Sequence, residues 1–435
     1  MTEKSDTTPP DVRRPLRATP APAPAVARPP LAGLRVLVSG ASVAGPAVAA
    51  WLDRYGAEVT VVEKAPELRP GGFAVDFRGA VHAEVLRAMN IADDVAARQT
   101  HMGAQSVVDA RDKVLVTLTA SMLSGDVEIH RGDLAEIMYE HTRYSVRYVF
   151  DDSIASLRQD DDGVDVSFER GAPERYDLVV GADGLHSHTR ALVFGPEERH
   201  VRFGGYYFAA FGLPNHLGLE RTARMYTEPG RTVLLSHYGG DPARALASLV
   251  FASEPLDHDR RDVAAHKRVL RERFAGGGWH TARVLDALDD AHDLYFDALA
   301  RSDVEGLARG RVVLLGDAGY GATMGAMGTG CALVGAYVLA GELAAARGAH
   351  REAFAAYEAE MTAFARGCQK TAANVGPFFA PATEAAIRRR DRMYRVLSAR
   401  LMTRVFRRLT LHAAQNIRLK DYPLRYGARR DVARG

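Results

Sequence analysis

The chain is poor in cysteine, in long apolar runs and in net charge. Only two of its 435 residues are cysteine, Cys331 and Cys368. Two thiols cannot build a disulfide scaffold or a cysteine zinc site, and they point to a reducing, cytoplasmic setting. No His-x-x-x-His pair, Cys-His cluster or Ser-His-Asp order stands in a supporting context, so no metal is expected and acyl transfer is set aside. Glycine or a charge interrupts each apolar stretch before the roughly 18 residues that span a bilayer. Lysine and arginine number 56 against 54 aspartates and glutamates, a net charge of +2. That balance speaks against nucleic acid or a membrane as partner and leaves a small molecule. Oligomeric state is not readable from it.

What the chain does have is length enough for two or three packed units. Residues 1–31 stand apart: Pro9, Pro10, Pro15, Pro20, Pro22, Pro24, Pro29 and Pro30 alternate with small and basic residues. Such a segment buries too little surface to offset chain entropy and reads as a disordered tail. Arg13-Arg14 runs into Pro15 with no apolar stretch behind it, unlike an export signal. From Leu34 the pattern becomes strand, turn, helix and strand, ending at Glu63. Residues 200–255 are rich in aromatic strand-like runs, and Ala-rich helical stretches follow residue 330.

Three glycine-rich turns punctuate this order. The first, Gly40-Ala-Ser-Val-Ala-Gly45, lies between strand and helix, where backbone N–H groups can meet a pyrophosphate. Ser42 stands where the dinucleotide fingerprint has its middle glycine. Alone the motif is equally a tight turn, but Glu63, 18 residues after Gly45, supplies the carboxylate that a ribose needs. The second runs from Asp177 through Gly181, Asp183 and Gly184 to Arg190. The third is Gly316-Asp317 followed by Gly321, Gly325, Gly328 and Gly330. Each of these alone reads as a turn.

In this order and spacing the three turns resemble those of the single-component FAD-dependent aromatic hydroxylases. These are the p-hydroxybenzoate hydroxylase-like (group A) flavin monooxygenases, here of an actinobacterial natural-product type. The likeness covers about Leu34 to Leu343. It implies an α/β fold: a Rossmann-like, glutathione-reductase-type FAD-binding domain, a second antiparallel β-sheet substrate domain, and C-terminal helices. The implied boundaries are 32–105, 126–198 and 301–366 for the FAD-binding domain, 106–125 and 199–300 for the substrate domain, and 367–435 for a helical extension. The implied FAD-binding residues are Gly40, Ser42, Val43, Ala44, Gly45, Glu63 and Lys64 at the first turn. Arg69 and Asp76 follow in a segment similar to the tetracycline-inactivating branch. Arg131 of an Arg-x-x-Leu motif, Asp183 near the pyrophosphate, Asp317 on the ribityl chain, and Gly328, Thr329 and Gly330 at a helix start complete the set.

The resemblance implies flavin-centred chemistry without a catalytic side chain. NAD(P)H, binding transiently, would reduce FAD, and a C4a-hydroperoxide would oxygenate a polycyclic or polyketide-like molecule. The stretch from Asp317 to Gly330 lacks the proline usual in the family. That departure keeps open a non-redox FAD-containing cyclase of the [4+2] type, with an FAD-dependent sensor as a third class. Candidate substrate-pocket residues are Tyr207, His237, Met324 and Phe378, each with a packing or surface alternative. Tyr206 and Tyr207 alternate on one strand, so only one can face the pocket. Nine arginines between Arg388 and Arg408 suit either the solvated face of a helix, or an anionic-partner surface or interdomain bridge.

Overall fold

The computed structural model describes residues 28–68, 73–120, 125–239, 241–323, 328–372, 375–398 and 417–422. Arg69, Met324 and residues 399–408 of the arginine-rich segment lie outside the described residues, as do residues 1–27. Residues 28–31 do not belong to a tail. Leu31 is buried in the main core and its N–H donates to Tyr55 O at 3.1 Å.

A six-stranded sheet is ordered β17-β18-β11-β1-β2-β7. Its strands β1 (Arg35–Ser39), β2 (Glu58–Glu63), β7 (Arg147–Phe150), β11 (Leu178–Gly181) and β18 (Val312–Leu314) are parallel; β17 (Ala308–Arg309) is the antiparallel edge. Val36, Leu37 and Val38 are all fully buried, as both-sided covering of a parallel sheet requires. One face carries α1 (Ala44–Arg54), α4 (Arg131–Thr142) and α8 (Gly328–Ala345) in the main core. The other is closed by a small sheet of β8 (Ile154–Gln159), β9 (Val164–Phe168) and β10 (Glu174–Tyr176). Helix α8 is long and apolar enough to cross a membrane by composition, because the glycines within it do not break the helix, yet 72% of it is buried inside the fold. It is a core helix, and α9 (His350–Ala372) packs along it, running unbroken past residue 366.

A seven-stranded sheet is ordered β16-β12-β15-β14-β13-β4-β5. It draws β4 (Gln105–Val108) and β5 (Val114–Leu118) from early in the chain. The rest are β12 (Val201–Pro214), β13 (Ala223–Glu228), β14 (Arg231–His237), β15 (Arg244–Ala252) and β16 (Tyr295–Ser302). Helices α6 (Val263–Phe274) and α7 (Thr281–Asp289) cover one face, burying Tyr207, Phe211, Phe251, Leu270, Phe274 and Leu288. The opposite face looks toward the first sheet and meets α10 (Val375–Phe379) and α11 (Glu384–Leu397). A two-stranded ribbon of β3 (Ala74–Phe77) and β6 (Val127–His130) lies at the junction, with α2 (Gly79–Ala88), α3 (Ala92–Ala97) and the short α5 (His188–Phe194) completing the fold.

Candidate cofactor and substrate site

At the first turn β1 gives way to Gly40, whose φ of +105° suits glycine. A Cβ there would lie 2.6 Å from Ala182 O, and one on Gly45 only 1.8 Å from Gly40 O. Both glycines are therefore demanded by backbone packed on backbone. Helix α1 starts with no side-chain cap and no acidic residue in its first turn, so its N–H groups and positive end are left for an anion. Ser42 is exposed, Val43 buried and Ala44 half-buried along that start. Glu63, at the tip of β2, accepts from Ala41 N at 2.8 Å and from Ala65 N at 2.9 Å, which turns its carboxylate toward the glycine turn. Lys64 is exposed.

The second turn sits against the first, with Asp183 Cα 3.0 Å from the Gly40 Cβ position. The Asp183 carboxylate accepts from Ser187 Oγ and, at 2.9 Å each, from Thr189 N and Oγ1. Its direct partners are thus protein groups that fix the start of α5. Arg190, fully buried, donates to Leu185 O at 2.7 Å and Ala318 O at 2.9 Å, tying the second turn to the third.

Asp317 lies deep in the molecule yet keeps an exposed surface, so it lines a cleft that water reaches. Burial raises its pKa, the positive charge of Arg131 opposes that rise, and Asp297 adds to it. Gly321 leaves no room for a Cβ beside Asp317 Oδ1, and a Cβ on Gly328 would stand 3.6 Å from the same oxygen. The Arg131 guanidinium lies 6.0 Å from both the Phe73 and Tyr295 rings. Thr329 is half-buried, and Gly330 is required by the His82 ring, 2.3 Å from where its Cβ would be. Burial lowers the His82 pKa to about 4, so it faces the first turn of α8 uncharged. Asp76, on β3, is held by Arg78 Nε at 2.9 Å; burial raises its pKa and Arg78 offsets this.

The substrate-side expectations need correction. Tyr207 pairs with Phe251 and Ala298 and points into the α6–α7 core, where its hydroxyl accepts from Leu256 N at 2.8 Å. Its neighbour Tyr206 faces the cleft side, grouped with Phe73, Phe208, Tyr295 and Phe379. His237 pairs with Ala245 on that same α6–α7 face and bonds Leu219 O at 3.1 Å. Tyr238 takes the cleft side instead and stacks on His130 with centroids 5.2 Å apart. Phe378 packs edge-on against Tyr394 of α11, while Phe379 reaches the Phe73–Phe208 group. Strand alternation decides the tyrosine and histidine cases and helix geometry the Phe378–Phe379 case, and the sequence did not show which side faced which layer.

Two further features had no clear sequence signal. His186 places Nδ1 3.0 Å from Glu197 and Nε2 3.0 Å from Asp297, which in turn accepts from the Tyr295 hydroxyl at 3.4 Å. Burial alone would lower its pKa; hydrogen bonds to Asp297 and Glu197 overcome that and raise it to about 9. A charged imidazole therefore links the second turn to β16. Secondly, Arg390 is not on a solvated face. It is buried, pairs with Asp391 at 2.9 Å, and donates to Phe379 O and Thr227 Oγ1. Arg388, Arg389, Arg392 and Arg395 are exposed. A separate groove of about 710 Å³ runs between β4, the β13–β14 hairpin and α11, away from the cleft.

A parallel sheet whose first crossover opens on such a turn, beside a second, antiparallel sheet, defines a dinucleotide-binding α/β fold. The family described as FAD binding domain matches residues 33–231. A flavin-dependent monooxygenase of Legionella longbeachae is 37% identical over 342 residues, 78% of this chain and 87% of the relative. An uncharacterized protein of Mycobacterium tuberculosis is 43% identical over 337 residues, 76% and 90% of the two chains. The solved structure of tetracycline destructase Tet(51) superposes with a TM-score of 0.77 at 33% identity, covering 90% of this chain and 99% of its own. The chain belongs to the FAD-dependent monooxygenases. It is a flavoenzyme with FAD as cofactor, and the characterised relatives favour oxygenation over the cyclase reading.

Proposed function

We propose that this monooxygenase inserts oxygen into a polycyclic, polyketide-like aromatic molecule, with NADH or NADPH as transient reductant. The observation that carries the reading is the aromatic wall in which half-buried Phe73, Tyr206 and Tyr295 pack around buried Phe208, beside Arg131 and Asp317. Flat rings complement such a wall and displace its water. The likeness to a structure named for tetracycline supports the same substrate class.

The residues present fit FAD. In this reading the Gly40–Gly45 turn, with the N–H groups of Ser42, Val43 and Ala44, takes the pyrophosphate. Glu63 takes the adenosine ribose and Asp317 the ribityl hydroxyls. Arg131, Asp76 and the start of α8 at Gly328, Thr329 and Gly330 border the flavin ring. Asp183 acts one layer behind, by fixing the turn that Gly40 rests on. When bound, FAD supplies electron transfer and oxygen activation. The positive end of α8 steadies negative charge near its first turn. His82 is neutral at pH 7 and adds packing there but no charge. The Tyr295 hydroxyl, directed at Asp297, leaves its ring face to the cleft.

The test is anaerobic mixing of the purified yellow protein with NADPH or NADH, then air, with and without polycyclic phenols. The expected result is bleaching of the visible flavin band and a product one oxygen atom heavier. Failure to bleach with either nucleotide would overturn the proposal. Cyclisation of a polyene with the flavin oxidised throughout would replace it with the cyclase.

A further inference from the structure

The only two cysteines of the chain, 37 positions apart, meet in the fold. Cys331 lies in the first turn of α8 and Cys368 in the C-terminal part of α9. Both are buried, at 2% and 7% exposure. They line one small cavity whose other walls are Tyr320, Gly321, Ala322, Gly328 and Gln369. Gly321 and Gly328 are the glycines packed around Asp317 Oδ1, so the thiols stand directly behind that carboxylate. Gln369 closes the wall by donating to Ser302 O at 2.6 Å and Tyr320 O at 3.0 Å.

The two thiols face the same small cavity and lie close enough to perturb each other's ionisation. Their mutual influence, with burial, raises the pKa of Cys331 and lowers that of Cys368. With both sulfurs on one cavity, a sulfenic acid formed at Cys368 has the Cys331 thiol beside it to resolve it. Neither thiol has a part in the chemistry described above.

We propose that Cys368 and Cys331 form a dithiol oxidation site that takes hydrogen peroxide and closes to a disulfide joining α8 to α9. The Cys368 thiolate attacks one peroxide oxygen; the O–O bond breaks, and the departing hydroxide takes up the Cys331 proton as water. The resulting sulfenic acid is attacked by the Cys331 sulfur, forming the S–S bond and expelling its hydroxyl as a second water with the proton from solvent. Two thiols lose two electrons in all, and one peroxide is reduced to two waters. Reduced flavin that meets oxygen without substrate is a local source of peroxide. The relevance of that source rests on the oxygenase reading, whereas the dithiol chemistry itself does not.

The experiment treats holoprotein with hydrogen peroxide in the absence of any reductant. Thiols are then alkylated under denaturing conditions and peptides are mapped by mass spectrometry. The expected result is two alkylated cysteines before treatment and none after, with a Cys331–Cys368 linked peptide that dithiothreitol removes. In Cys331→Ser the reaction should stop at a Cys368 sulfenic acid, trapped by dimedone. Thiols that both stay alkylatable, or Cys368 driven to sulfinic acid with Cys331 untouched, would overturn the proposal. A parallel sample given NADPH and air instead of peroxide should form the same link. If added peroxide forms it and NADPH with air does not, the dithiol site stands and the local source fails.

Discussion

Glu63 serves its own turn and, in the proposed site, the adenosine end of FAD. Its carboxylate holds the Ala41 and Ala65 N–H groups, so removing it would loosen the glycine turn and remove the proposed ribose contact. Glu63→Ala should weaken FAD binding about tenfold, near the 1.4 kcal/mol scale of one charge-assisted hydrogen bond. Fluorescence titration of the apoprotein checks this; unchanged affinity would remove Glu63 from the site. His186 gives a pH signature. Its pKa of about 9 in the fold exceeds about 6.5 in the unfolded chain, so its contribution is complete below the lower value. It is lost as pH rises through the upper one, up to about 3 kcal/mol in all. His186→Gln should therefore lower Tm at pH 6.5 and converge on the unsubstituted protein by pH 10. A Tm difference constant across that range would contradict the charged link. The places of Glu63 at the tip of β2 and of Asp317 just after β18 were legible from motif spacing. His186 was not, because Glu197 and Asp297 reach it from other segments.

At the scale of elements, β12 shows how one residue of parity changes a role. Tyr207 belongs to the α6–α7 core, stacked on Phe251 and Phe296, and Tyr206 to the cleft. Tyr207→Ala should cost about 3–5 kcal/mol, as loss of a buried aromatic does. Tyr206→Ala should leave Tm nearly unchanged and raise the KM for a polycyclic substrate. Thermal melts and steady-state kinetics on the pair decide the assignment. Helix α11 offers a second case. Arg390→Ala leaves Asp391 buried without its cation and should destabilise by about 3 kcal/mol, whereas Arg388→Ala on the exposed side should change stability by under about 0.5 kcal/mol. The helical run of arginines was visible beforehand. Its inward position among the described residues, Arg390, depends on where the Phe378 and Phe379 carbonyls lie.

For the whole molecule, the cleft joins two sheets through contacts that FAD, lying between them, would add to. Ligand present at a hundred times its Kd stabilises the folded state by about 2.7 kcal/mol. Removing FAD should lower Tm measurably and restoring it should reverse the loss, with the shift following FAD concentration. A flavin-independent Tm would mean that the cleft is held by protein contacts alone. The sequence by itself determined the cofactor class, because a tight glycine turn between strand and helix, with a carboxylate one strand later, is a local pattern enforced by backbone sterics and short-range spacing. It also determined that two cysteines are all the chain has. Only the tertiary structure decided which face of β12 and β14 meets the cleft, that His186 is clasped between two carboxylates, and that Cys331 and Cys368 line one cavity. Those facts depend on the packing of segments remote in sequence, and side-chain alternation alone does not say which layer lies on which side.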